Sequence, residues 1–147
     1  MKKVILGIDP DSKAHGVSVY IDGKLRDLHT ISLPDFVGLL EFYIAITSDI
    51  EIHIENVCGN NAAFAKGGVK NAKAGTAINR SIGKCQQAQI ELERFVEKYE
   101  LKIVRHPISS QWKNQAGKKM FERMTGWTER SNEDSRSAAW FGYLGAK

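Results

Sequence analysis

The chain holds only two cysteines, Cys58 and Cys85, among 147 residues. They make no metal-ligand spacing, so both read as reduced thiols. Its three prolines are scattered and form no Pro-rich linker, and no internal repeat is visible. No apolar run approaches the roughly 20 residues of a membrane-spanning helix. Lys2 and Lys3 precede an apolar run of strand length only, which excludes the pattern of a signal peptide. These absences point to an intracellular, soluble protein. The length suits one domain over 1–147 with a single core. A formal net charge of +4 fits a polyanionic partner without requiring one.

What the chain does have is an uncharged apolar run that ends on an acid: Val4-Ile5-Leu6-Gly7-Ile8-Asp9-Pro10-Asp11-Ser12. Such a run reads as a strand buried on both faces. Pro10 ends it, because proline cannot donate a ladder hydrogen bond. Asp9 then sits at a buried strand end, where a carboxylate is costly unless something pairs with it. A metal ion would serve, and an Asx-type turn is the plainer alternative. Gly16 to Ile21 alternates, as does Lys24 to Ile31, and Asp22-Gly23 between them signals a hairpin.

Strand, hairpin and strand, with an acid closing the first, resembles the ribonuclease H-like nuclease fold. The form Ile5-Leu6-Gly7-Ile8-Asp9-Pro10-Asp11-Ser12, followed by Gly16-Val17-Ser18-Val19, resembles the opening of RuvC-type Holliday junction resolvases. Actin-like ATPases open on a similar motif, but they need two such domains, and 147 residues supply one. The resemblance implies an α/β fold: a mixed five-stranded sheet flanked by helices.

Further along, Ser32-Leu33-Pro34 marks a helix start, and Phe36, Leu39, Leu40, Tyr43, Ile44 and Ile46 recur at helical spacing to pack on the sheet. Glu51 to Val57 is a short strand, with Ile52 and Ile54 on one face and His53 and Glu55 on the other. A lone strand histidine such as His53 is more often partly exposed than a metal ligand. Glu55, after Ile52-His53-Ile54, matches the second acid of the resolvase pattern.

From Cys58 to Thr76 no period is sustained and glycine recurs. The segment is rich in lysine, with no acid and with Phe64, the composition of a loop that lies over phosphates and offers an aromatic for stacking. Phe64, Lys66, Lys70 and Lys73 are therefore candidate DNA contacts. The resemblance maps a junction-contacting loop onto Phe64 and Lys66. Ile78 to Tyr99 reads as one helix with an apolar stripe of Ile82, Cys85, Ala88, Gln89, Leu92, Phe95 and Val96, and Gly83 within it suggests a close backbone approach. Leu101 to His106 is a strand closed by Pro107.

The stretch Ser109 to Lys119 is polar and basic. Trp112-Lys113 resembles the apolar-lysine pair that follows the last strand of the resolvases. Lys118 and Lys119 stand where that family keeps a lysine near the scissile phosphate. Lys113 and Lys118 are read as phosphate contacts and Lys119 as catalytic. Ser131 or Asn132 then caps a final helix, turning apolar from Ala138. The family carries two acids three residues apart here. Asp134 matches the first, and Ser137 stands in place of the second.

Asp9, Glu55 and Asp134 thus come from three elements that one fold could gather, as two-metal phosphodiester hydrolysis requires. The resemblance implies two Mg²⁺ ions, replaceable by Mn²⁺, held by these three acids. It also implies branched DNA as substrate and a homodimer, since two symmetric cuts need two sites. Alternatives are another ribonuclease H-like nuclease, acting on flaps or RNA–DNA hybrids, and a non-catalytic nucleic-acid-binding module.

Overall fold

In a computed structural model the described residues are 1–59 and 72–147, with side chains described from residue 75 in the second span. Five strands, β1 (Val4–Asp9), β2 (His15–Ile21), β3 (Lys24–Ile31), β4 (Ile50–Glu55) and β5 (Lys102–His106), form one sheet. Their order is β3-β2-β1-β4-β5. β1 pairs antiparallel with β2 and parallel with β4, and β5 joins β4 in parallel. Every residue of β1 is buried, which is why it carries no charge until its last position. The β2–β3 hairpin turns at Asp22 and Gly23 with φ of 49° and 80°. Both central residues are left-handed, so the turn's twist matches that of the strands.

One face of the sheet is covered by α1 (Leu33–Ile44) and α2 (Ala72–Lys98). Leu6, Ile8, Val17, Ile52 and Ile54 pack there against Phe36 and Leu40 from α1 and Leu92 and Val96 from α2. The other face carries α4 (Glu133–Ala146), with α3 (Gln115–Thr125) beside it. Ser18 Oγ donates to the Ala138 carbonyl at 2.8 Å, and the Tyr20 hydroxyl to that of Ala139 at 2.7 Å. Two glycines let α4 lie this low. A Cβ on Gly7 would overlap the Ala138 carbonyl, and one on Gly16 would overlap the Asp134 carbonyl. Trp112, Phe121 and Ala139 make a second apolar cluster on this side.

Five sequence expectations need correction. α2 begins at Ala72, inside the stretch expected to be loop as far as Thr76, and not at Ile78. Ile46 lies beyond the end of α1 and is 58% exposed, because the helix stops at Ile44 before it can turn that side chain inward. Phe95 is 39% exposed at the edge of the α2 stripe that Leu92 and Val96 centre. Gly83 makes no close approach to the described residues, since a Cβ there would meet none of them within 4 Å. His53 is buried, not partly exposed, because α4 covers its face of β4.

Candidate active site

β1 and β4 run parallel and adjacent, so their carboxyl ends place Asp9 and Glu55 side by side. Crevices outside such ends are the usual ligand positions of α/β sheets. The first turn of α4 adds Asp134, brought in over Gly16, the residue paired with Asp9. Asn132 fixes that turn. Its side chain accepts from the Ser135 amide at 2.8 Å, and Ser135 Oγ accepts from the Asn132 amide at 2.9 Å. The loop after β5 contributes Lys113. Asp9, Glu55, Asp134 and Lys113 line one cavity of about 240 Å³, whose wall also includes Asp11, Val57, Ser81 and Cys85.

Asp9 and Glu55 are 6% and 7% exposed. Among the described residues, Asp9 Oδ2 and Glu55 Oε2 are buried without a hydrogen-bond partner. Lys113 Nζ lies 3.5 Å from Asp9 Oδ2, an ion pair without good hydrogen-bond geometry. Burial raises the Asp9 carboxyl above the usual range, opposed by the Lys113 charge and the nearby Ser137 hydroxyl. Glu55 is pushed up to about 7, by burial first and by the Asp9 charge second, with Lys113 and the Ser109 amide opposing. Burial alone would lower Lys113, but Asp9, Glu55 and Asp134 together hold it above the ordinary lysine value.

The donors facing the cavity are carboxylate oxygens, the hard type that suits Mg²⁺ or Mn²⁺. Two buried acids, each with one unpartnered oxygen among the described residues and held against each other's charge, fit a divalent cation. Among the described residues, no three His, Cys, Asp or Glu side chains are drawn close enough to cage an ion without adjustment. Lys113 is the positive charge that faces these acids here.

The remaining candidates are distributed as follows. Glu133 is exposed and does not line the cavity. Lys118 and Lys119 lie on α3, half-buried and exposed respectively, outside the cavity lining. Lys73 falls in the first turn of α2. Phe64, Lys66 and Lys70 lie outside the described residues. His53 turns away from the acids: its Nδ1 shares a 2.8 Å hydrogen bond with His106 Nε2, and its Nε2 lies 3.1 Å from Glu51. Sequence reasoning placed Lys113 among the phosphate contacts and passed over Arg136. The available signal for Arg136 was a single cation inside the otherwise small and apolar run of α4.

Comparisons with family models and with curated proteins give no match. Among solved structures the chain is similar to RuvC of T. thermophilus, determined in complex with a Holliday junction substrate. The TM-score is 0.57 over 97% of this chain and 92% of that one, at 11% sequence identity. At that identity the likeness speaks to fold. The architecture is ribonuclease H-like: among the described residues, a mixed five-stranded sheet flanked by four helices.

Proposed function

We propose that this protein is a divalent-cation-dependent endonuclease that cuts branched DNA at Holliday-type junctions. The observation that carries the reading is a pair of buried acids, Asp9 and Glu55, each with one carboxylate oxygen left without a hydrogen-bond partner among the described residues, sharing one cavity with Asp134 and Lys113. The RuvC neighbour was solved on a junction, and the fold shared over 97% of this chain supports a substrate of that class.

Asp9, Glu55 and Asp134 would hold Mg²⁺, which when bound supplies Lewis acidity for phosphodiester hydrolysis. The chain's own residues do the rest. Burial of Asp9 and Glu55 keeps water from screening their charges. The Lys113 ammonium, facing the same cavity, offsets negative charge that gathers on the scissile phosphate. Lys118 and Lys119, neighbours in the first turns of α3, would meet flanking phosphates, which set position and not sequence. Lys66, Lys70, Lys73 and Phe64, the candidates from the sequence, would add further contacts to the junction. Two chains would be needed for paired cuts, so the active form is a homodimer.

The test is cleavage of a synthetic four-way junction, with Mg²⁺ and with EDTA, beside a linear duplex of the same sequence. Cutting of the junction alone, in Mg²⁺ alone, is expected. Equal cutting of the duplex would favour a nuclease of other substrate preference, and binding without cutting would favour a non-catalytic module.

A further inference from the structure

Lys113 meets the acids only because the chain before it turns in an unusual way. Trp112 has φ of 68°, the left-handed region that a bulky residue rarely adopts. Such a conformation persists only where its surroundings enforce it. Three contacts do so. The indole is 1% exposed and packs on Phe121, Trp140 and Tyr143. Gly117 lies against the Trp112 backbone so closely that a Cβ there would overlap it. Arg136 supplies the third contact.

Arg136 is 6% exposed, and among the described residues no carboxylate pairs with it. A buried guanidinium must spend its donors somewhere. Its Nε donates to the Trp112 carbonyl and its Nη2 to the Lys113 carbonyl, each at 2.8 Å. Its Nη1 donates to Ser131 Oγ at 3.1 Å. A planar fork holds two successive carbonyls from two separate nitrogens in fixed geometry, which the single nitrogen of a lysine does not reproduce. Arg136 also stands two residues after Asp134, so one helix turn carries both an acid of the site and the clamp on its lysine.

We infer that Arg136 is a positioning residue for Lys113: by gripping the Trp112 and Lys113 carbonyls it keeps the Lys113 ammonium against Asp9. The catalytic consequence rests on the nuclease reading above; the positional one does not. Arg136 does not line the cavity and bonds none of its acids; two of its three hydrogen bonds go to the Trp112 and Lys113 carbonyls, so its effect on the site is expected to pass through Lys113.

The experiment measures position and catalysis separately. Trace acetylation with acetic anhydride, read by peptide mass spectrometry, reports the accessibility of Lys113 against exposed Lys24 on β3. In Arg136→Met, labelling of Lys113 should rise at least about threefold, the size of coupling between groups in contact. Lys24 labelling should not move. Arg136→Lys, which keeps the charge and loses the fork, should show the same rise and serves if the methionine variant does not fold. Single-turnover junction cleavage is then compared across Arg136→Met, Lys113→Met and the double variant. The double should be no slower than Lys113→Met alone, within about twofold. Unchanged Lys113 labelling, or losses that multiply in the double variant, would overturn the inference. A wild-type protein that cuts no junction would sink the nuclease reading, and labelling would still decide the role of Arg136.

Discussion

At the scale of single residues, two acids stand next to each other at the start of α4 and only one faces the site. Asp134 lines the cavity, while Glu133 is exposed about 100° further round the helix. Asp134→Asn should therefore remove most cleavage with little change in melting temperature, and Glu133→Gln should stay within a few-fold of wild type. The reverse outcome would make Glu133 the ligand. Glu55 offers a test that needs no substrate. Its folded value near 7 lies above its ordinary 4.5, so the folded state holds the proton more tightly than the unfolded one. That contribution is full below about pH 4.5 and is lost as pH rises through 7. Asp9 acts in the same direction, whereas burial lowers His53 and His106 and makes them act oppositely. The difference between wild type and Glu55→Gln isolates the one group. Without metal, the variant should match wild type near pH 4.5 and melt higher by pH 7.5. A pH-independent difference would mean that Glu55 is not strained. Of these site features, Asp9 and Glu55 were legible because a strand period fixes which way each side chain points. The partnership of Lys113 was not, because it depends on a left-handed Trp112 and a guanidinium 23 residues away.

At the scale of elements, β1 could be read from its uncharged apolar run ended by Pro10, β2 and β3 from apolar alternation about Asp22-Gly23, and β4 and β5 as short apolar segments. α3 was hidden. Its Met120 and Met124 are 43% and 45% exposed, and of its large apolar side chains only Phe121 is fully buried, so its sequence shows no sustained stripe. The glycines misled in part, because a glycine does not announce why it is there. Gly83 sits mid-helix with no described residue against it, so Gly83→Ala should raise stability by about 0.5–1 kcal/mol through helix propensity. Gly16→Ala should do the opposite, costing on the order of 1–3 kcal/mol as the first turn of α4 is pushed off β2. Chemical denaturation of the two variants checks both signs. If Gly83→Ala is the damaging change, a contact forms there that the isolated chain does not make.

At the scale of the whole molecule, a ribonuclease H-like sheet brings an acid from each of two parallel strand ends to a helix start, and a net charge of +4 surrounds them. The order of motifs along the sequence carried this architecture better than any one motif did, because each motif is only a few residues long. Binding to DNA should be salt-dependent in proportion to the phosphates neutralised. Replacing Lys66, Lys70 and Lys73 together by alanine should flatten the plot of log affinity against log salt by up to about 2.7 units on duplex arms. An unchanged slope would show that these lysines meet no phosphate. The central claim is that the buried acids do the cutting and do not hold the DNA. Binding and Mg²⁺-dependent cleavage of one four-way junction, measured side by side for wild type, Asp9→Asn and Glu55→Gln, test it most directly. Cleavage should vanish in both variants while junction affinity is kept or improved, since each change removes negative charge facing DNA. Cleavage within a few-fold of wild type in either variant would contradict the account.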